Sequence, residues 1–226
     1  EDYTRIASLF QPEQLVKYGE LCLRENEIAY ADPGFFRLFD FELLKGDRAS
    51  CLSMPGQVVI TERIARKYFR DEEPMGKILV FNSNIGKVSC EVTGVMKEMP
   101  SHSHIHYNFL LSYKSLPKWV QEYWYKHETY TYVLLDSQER KEEIERAFPG
   151  MAEKYKTEEA LKNKTWGVRL VPLEDIHLTP QLGYEAEQKG NRSAIIALVF
   201  AAVAILVIAW INYINLTVAR SMERAK

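Results

Sequence analysis

Three histidines alternate with other residues in the middle of the chain, and they are the side chains best placed to bind a metal. His102, His104 and His106 are each separated by one residue, so an extended backbone would project all three from one face of a strand. Three converging imidazoles could bind zinc or copper. Side chains on one strand face lie about 7 Å apart, however, and the segment follows Pro100. A polar loop that enters a strand is the alternative, and we favour it.

The sequence contains none of the common motifs of nucleotide binding or hydrolysis. The phosphate loop G-x-x-x-x-G-K-[ST] is absent, because residues 74–77 (PMGK) lack the preceding glycine and the following hydroxyl. The motifs G-x-S-x-G, H-E-x-x-H and G-x-G-x-x-G are absent as well. We therefore expect no catalytic residue and no cofactor in this chain, so that any ATP and Mg²⁺ would be bound by a partner subunit.

The charged residues are distributed very unevenly along the chain. The 226 residues carry 29 Lys and Arg and 31 Asp and Glu, a net charge of −2, with no basic cluster of the kind that binds nucleic acid. Residues 193–219 carry no charge at all, and the last seven residues carry three basic side chains and one acidic side chain. A charged, hydrophilic region is thus followed by one uncharged stretch and a short basic tail.

The uncharged stretch has the length and composition of a membrane-spanning helix. Residues 194–211 are all apolar, and a helix of that length covers about 27 Å of a hydrocarbon core of about 30 Å. Its eleven Ile, Leu, Val and Phe residues favour insertion by roughly 3 to 7 kcal/mol. Trp210 and Tyr213 suit a membrane interface. We predict an extracytoplasmic body over 1–192, a transmembrane helix over 193–217 and the start of a cytoplasmic segment over 218–226. The positive-inside rule favours a cytoplasmic carboxy terminus, because the basic residues are more numerous after the helix than just before it.

The body shows the pattern of a mixed α/β domain. We predict strands over 3–10, 21–30, 57–60, 77–82, 88–95, 107–113, 129–135 and 166–172. We predict helices capped by Asp32 and by Thr61, and further helices over 116–125 and 137–155. Alternating strands and helices favour βαβ units, with helices packed on a sheet.

Two groups of side chains leave alternatives open. The aromatic residues between 119 and 132 could line a ligand groove, or they could form core and a partner surface, which we favour. The three cysteines, Cys22, Cys51 and Cys90, show no C-x-x-C spacing. They are expected to be small apolar core residues.

Several short blocks together resemble the extracytoplasmic core domain of MacB/FtsX-like ABC transporter permeases. The order and spacing of the blocks agree over nearly the whole chain. The blocks are 31–36 (ADPGFF), 41–47 (FELLKGD), 58–62 (VVITE) with 65–69 (ARKYF), 74–77 (PMGK), 92–95 (VTGV), 210–216 (WINYINL) and 219–226 (ARSMERAK).

The resemblance implies an architecture and a set of partners. It implies a porter-like βαβ module with a smaller inserted module, one membrane helix before the domain and three after it, of which the helix over 194–217 would be the first. A membrane segment is therefore expected before Glu1, and more are expected after Lys226. The resemblance also implies a bacterial inner-membrane permease that pairs with a second copy and with an ABC ATP-binding subunit. A periplasmic or outer-membrane partner is a further implication, as is mechanical coupling rather than passage of substrate through a membrane channel.

Five side chains in the carboxy-terminal segment are candidates for this coupling. Asn212 and Asn215 lie three apart, so they share a helix face and could hydrogen-bond a neighbouring membrane helix. Arg220, Glu223 and Arg224 are placed near the cytoplasmic coupling region.

Two other function classes remain as alternatives to the permease. A membrane-anchored sensor predicts a signalling domain after Lys226 instead of further membrane helices. An anchored periplasmic enzyme predicts a catalytic set, which is missing from the sequence.

Overall fold

The computed structural model describes residues 3–8, 13–121, 129–155, 163–178 and 192–224. The strands are β1 (Tyr3–Ala7), β2 (Gln14–Tyr18), β3 (Leu21–Glu25), β4 (Ile28–Ala31), β5 (Leu43–Gly46), β6 (Gln57–Thr61), β7 (Ile78–Ser83), β8 (Gly86–Met96), β9 (Phe109–Ser112) and β10 (Thr129–Val133). The helices are α1 (Phe35–Leu38), α2 (Glu62–Phe69), α3 (Lys118–Gln121), α4 (Gln138–Tyr155) and α5 (Arg192–Arg224), with 3-10 turns at Tyr113–Ser115 and Leu173–Leu178. The chain divides into two compact units, Glu1–Leu170 and Val171–Lys226, and the ten described strands belong to the first.

The ten described strands form one mixed sheet. Their order is β10-β1-β4-β9-β6-β8-β7-β2-β3, and β5 pairs with the second half of β8. Two neighbouring pairs are parallel, β4 with β9 and β6 with β8, and α2 lies in the chain between β6 and β8. This arrangement confirms the predicted α/β class with helices packed against a sheet.

The central strands are buried on both faces, so the sheet has two cores. Along β6, Val58 and Ile60 face a core that includes α2, whereas Val59 faces a second core that includes Phe35. Alternate residues of a strand point to opposite faces, which explains why β6 is apolar at successive positions. Full burial of each such side chain contributes about 1.5 to 3 kcal/mol.

The first turn of α2 follows the prediction from sequence. The Thr61 side chain accepts a hydrogen bond from the backbone N–H of Ile64 at 3.4 Å and so caps the helix. The predicted hairpin over 77–95 is confirmed as β7 and β8, and β10 and α4 are confirmed within two residues of their predicted ends.

The helix cap predicted at Asp32 is wrong. The helix α1 begins only at Phe35 and has one turn, with Gly34 at its N-cap and no side-chain cap. The Asp32 carboxylate instead accepts hydrogen bonds from Arg5 on the neighbouring strand β1. A charged partner distant in sequence thus replaces the local capping interaction.

Two predicted strands also differ from the structure. The single strand predicted over 21–30 is two strands, β3 and β4, because Glu27 adopts a positive φ of 57° that interrupts an extended backbone. The described segment 166–172 pairs with no strand. Within it, the N–H of Leu170 donates to the Glu145 side chain of α4 at 2.7 Å, where a strand would donate to a neighbouring backbone.

Candidate functional site

The three histidines do not come together as a metal site. His104 Nε2 lies 3.1 Å from the Tyr132 hydroxyl, and its ring packs against Phe39 with centroids 5.8 Å apart. His106 Nε2 lies 2.9 Å from a backbone carbonyl, that of Pro100. Over the described ranges, no group of three His, Cys, Asp or Glu side chains is arranged to hold a metal ion. The histidines therefore belong to an irregular loop before β9, as the favoured alternative predicted.

Part of the aromatic stretch after residue 118 serves as packing. Tyr132 contacts Phe39 edge to face at 5.0 Å, and burial raises its pKa. Trp119 is 55% exposed. The remaining aromatics at 123–125 lie outside the described residues, so the choice between a groove and a partner surface stays a prediction.

The block at 31–36 contains an ion pair that links two strands. Asp32, on the segment after β4, accepts from Arg5 Nε at 2.7 Å, Nη2 at 3.1 Å and its backbone N–H at 3.1 Å. The Arg5 guanidinium also lies 4.2 Å from the centroid of the Tyr113 ring. The Asp32 carboxylate raises the pKa of Arg5. The cluster joins β1 to the segment after β4 and to the turn at Tyr113–Ser115 that follows β9.

The blocks at 41–47 and 92–95 meet each other in the sheet. Gly46 at the end of β5 is registered with Gly94 of β8, and Gly46 has a φ of 98°. A Cβ at Gly46 would come closer than 3.0 Å to the carbonyl oxygen of Thr93. A Cβ at Gly94 would lie 3.0 Å from the Val59 side chain. The two glycines thus permit a close approach of three strands.

A buried carboxylate ties α2 to the far edge of the sheet. Glu25 on β3 is only 5% exposed and accepts from Lys67 Nζ at 2.7 Å and from the Tyr68 hydroxyl at 2.8 Å. Burial and this carboxylate raise the pKa of Tyr68. Loss of Lys67 would leave the buried Glu25 carboxylate without its opposite charge.

The cysteines are free thiols in two different environments. Cys51 and Cys90 are buried, as predicted, and burial raises their pKa values to about 11 and about 12. Cys22 is exposed, so the expectation that it is a core residue is wrong. Its side chain lies on the open face of the edge strand β3.

This difference predicts the reactivity of the thiols. At pH 8 an alkylating reagent is expected to modify Cys22 in the folded chain, whereas Cys51 and Cys90 remain protonated and inaccessible. Mass spectrometry of the intact protein should show one adduct, and three after unfolding in urea. Rapid modification of a second thiol in the folded protein would contradict the buried positions.

The helix α5 carries the predicted membrane segment. Within it, Ile196–Ser221 is 26 residues long and apolar enough to cross a membrane, and its side chains are exposed. Asn212, Asn215 and Arg220 are exposed on this helix, and Glu223 and Arg224 lie in its last turn. The Thr217 hydroxyl donates to the Tyr213 carbonyl at 2.8 Å, so its hydrogen bond is satisfied within the helix.

The contacts that sequence reasoning missed are those between distant segments. Arg5 with Asp32 and Lys67 with Glu25 are separated by 27 and 42 positions. Nothing local to either residue identifies its partner.

Comparisons with known proteins agree with this arrangement. Residues 3–150 match a family described as MacB-like periplasmic core domain. A solved domain of a protein described as a permease from Porphyromonas gingivalis is 24% identical, with a TM-score of 0.57 over 70% of this chain and 72% of that chain. No curated protein matches the chain.

Two further solved structures show weaker likeness. The periplasmic region of MacB from Actinobacillus actinomycetemcomitans is 14% identical, with a TM-score of 0.48 over 74% of this chain and 78% of that chain. The extracellular domain of the noncanonic ABC-type transporter YknZ from Gram-positive bacteria is 18% identical, with a TM-score of 0.44 over 69% of this chain and 78% of that chain. Of the three structures, the first supports a shared fold.

Proposed function

The chain belongs to the MacB-like periplasmic core domain family, and we propose that it couples ATP hydrolysis in a partner subunit to movement of its periplasmic domain. In this proposal the chain is the periplasmic domain and adjoining membrane helix of an ABC transporter permease in the bacterial inner membrane. The movement serves export or mechanotransmission. ATP and Mg²⁺ bind to the partner ABC subunit, and a second permease copy completes the complex.

One observation carries the proposal: a family domain over 3–150 is followed in the same chain by a long apolar helix. The helix α5 has 33 residues, about 50 Å at 1.5 Å per residue, which exceeds the hydrocarbon thickness of about 30 Å. It contains neither Pro nor Gly, the usual causes of kinks. An unbroken helix of this length is suited to carry a displacement across the bilayer.

Co-purification tests the partner directly. We expect an ABC-type ATPase in near-equal amount when the full-length protein is purified from native membranes and its partners are identified by mass spectrometry. A further periplasmic or outer-membrane partner would direct the search for substrate. Recovery without an ATPase, in detergents that preserve such complexes, would contradict the permease proposal and favour a membrane-anchored sensor.

Within the proposal, Asn212 and Asn215 pack α5 against a neighbouring membrane helix. Successive residues turn by about 100°, so the two amides share one face, and a polar group facing lipid gains from an interhelical partner. Arg220, Glu223 and Arg224 follow on the cytoplasmic side, where they lie near the ATPase and its coupling surface.

Asn212→Leu is expected to uncouple movement from ATP hydrolysis. An interhelical hydrogen bond of about 0.6 to 2 kcal/mol corresponds to a roughly 3- to 30-fold change in the equilibrium it supports. A fluorophore on the exposed Cys22 should therefore show an ATP-dependent signal that collapses in the variant while hydrolysis continues.

The matched control for this variant is Thr217→Leu. Thr217 lies about 140° around the helix from Asn212, and its hydroxyl already bonds within α5. We expect this control to keep the fluorescence signal. An unchanged signal in Asn212→Leu would contradict the role of Asn212.

A further inference from the structure

The four most exposed large apolar side chains of the first unit lie at one end of its sheet. Among the described residues of that unit, these four are 54% to 60% exposed, and every other large apolar side chain is at most 48% exposed. They are Tyr3, Met54, Trp119 and Leu134, which we call the apolar end patch. Single exposed apolar side chains need no explanation, but four of them at one place indicate a binding surface.

The directions of the strands place the four side chains at the same end. The strand β1 is antiparallel to β10 and β4, β4 is parallel to β9, and β9 is antiparallel to β6. The starts of β1 and β6 therefore lie beside the ends of β10, β4 and β9. Tyr3 begins β1, and Leu134 follows β10 directly. Met54 lies in the loop before β6, and Trp119 lies in α3, shortly after β9. With strands about 4.8 Å apart, these five strands span about 19 Å.

Hydrogen bonds hold the loop that carries Met54 against the segment after β9. Lys114 Nζ donates to the Ser53 carbonyl at 2.7 Å. The N–H of Gly56 donates to the Ser115 hydroxyl at 2.8 Å. The patch is therefore built on a fixed backbone, and little conformational freedom is lost when it binds.

The opposite end of the sheet is charged. There α2 begins, the Glu98 side chain accepts from the N–H of Arg63 at 2.7 Å, and the Arg63 guanidinium lies 3.9 Å from Glu27. The described residues 97–108, which connect β8 to β9 at this end, include no exposed large apolar side chain. The two ends of the sheet thus differ in polarity.

The exposed charges near the patch have both signs. Lys114 and Lys118 precede Trp119, and Asp136 follows Leu134 by two positions. Charge therefore identifies no partner for this end of the sheet. The apolar and aromatic side chains are the feature that a partner would recognise.

We propose that the apolar end patch rests on the lipid bilayer, with its side chains in the headgroup region. Trp and Tyr are enriched at membrane interfaces because each combines an apolar ring with a polar group. The same chain carries the apolar helix α5, and residues 179–191, which connect Leu178 to it, reach at most about 50 Å. Docking is then intramolecular, so that a few side chains suffice for it. The inference goes beyond the proposed function, since it requires only that α5 lies in a membrane.

The test locates the patch in the full-length protein, reconstituted in nanodiscs of phosphatidylethanolamine and phosphatidylglycerol. Cys22→Ser removes the exposed thiol, and Met54→Cys then provides one site for an environment-sensitive NBD fluorophore. We expect lipids that carry a doxyl group near the headgroup to quench its emission. The matched control is the same label at His102→Cys, which lies in the exposed loop at the opposite end and should not be quenched.

Removal of apolar side chains from the patch should release the domain from the bilayer. Trp119→Ser combined with Leu134→Ser is expected to lower the ratio of docked to undocked domain about tenfold or more. Doxyl quenching of the label at position 54 should fall accordingly. Leu15→Ser, which removes an exposed leucine from β2 outside the patch, should leave the quenching unchanged.

Three results would overturn the inference. The first is a label at position 54 that stays in water and is not quenched, and the second is equal quenching at positions 54 and 102. The third is a blue-shifted emission at position 54 without doxyl quenching, which would assign the patch to a protein partner or a second copy. None of these readouts needs an ATPase, so the inference and the proposed function can fail separately.

Discussion

Gly46→Ala is expected to lower the free energy of unfolding by about 3 to 5 kcal/mol. The new methyl group would lie closer than 3.0 Å to the Thr93 carbonyl oxygen. The obstacle is backbone in a sheet, so it cannot rotate away as a side chain would. The φ of 98° adds a second cost, because residues with a Cβ rarely adopt it.

Gly86→Ala separates the cost of the steric clash from the cost of the positive φ. Gly86 also has a positive φ, 120°, but a Cβ there would meet no atom within 4 Å. We expect it to cost about 1 to 3 kcal/mol, from backbone strain alone. Urea unfolding of the full chain in detergent, followed by Trp fluorescence, measures both variants. Equal stability of the two would show that β5 and β8 do not approach each other as closely as the structure places them.

Asp32→Ala is expected to cost about 2 to 3 kcal/mol, less than for a fully buried ion pair because Arg5 is partly exposed. The change removes three hydrogen bonds to Arg5 and leaves a half-buried guanidinium without its carboxylate. The strand β1 would then lose its side-chain connection to the segment after β4. The same urea titration measures the loss.

A double variant shows whether the unpaired charge is the cause. If it is, Arg5→Met combined with Asp32→Leu should be less destabilising than Asp32→Ala, because no buried charge then remains. Asp32→Asn, which keeps one acceptor oxygen, should lie between the parent and Asp32→Ala. A double variant that is as unstable as Asp32→Ala would mean that packing, and not charge, determines the effect.

The elements that could be predicted from sequence are those whose signals are local. Thr61 precedes four buried residues at helical spacing, and this pattern alone predicts a capped α2. The strand β10 consists of alternating Thr and Tyr residues followed by Val, all of which favour strands. The β7–β8 hairpin has Gly86 at its turn. In each case a few adjacent residues determine both the element and its ends.

The failures arise where a distant residue decides the local structure. Asp32 has the sequence context of a helix cap, but Arg5 occupies its carboxylate. The segment 166–172 has the composition of a strand, but its Leu170 N–H donates to the Glu145 side chain of α4 and not to a neighbouring strand. The alternating histidines, for which we favoured a polar loop, lie in an irregular segment where His104 and His106 contact separate partners.

The candidate site follows the same rule: its local patterns are predictable from sequence, and its backbone angles are not. The apolar run of α5 is a local pattern and was predicted, whereas the roles of Asn212 and Asn215 stay predictions. The positive φ of Arg70 was not predicted, because the residue type does not reveal this backbone angle. Lone residues that contradict their local conformation are visible only once the chain is folded.

The position of β1 inside the sheet determines how the domain responds to a pull. The strand is paired along five positions with β10 and along two with β4, and Arg5 fastens it to Asp32. A force along the strand axis acts on all these bonds together, so they must break at once and not one after another. An edge strand pulled perpendicular to its axis would lose its hydrogen bonds one after another. Tension applied at Tyr3 is therefore shared by the neighbouring strands, and the domain moves as a block before β1 peels away.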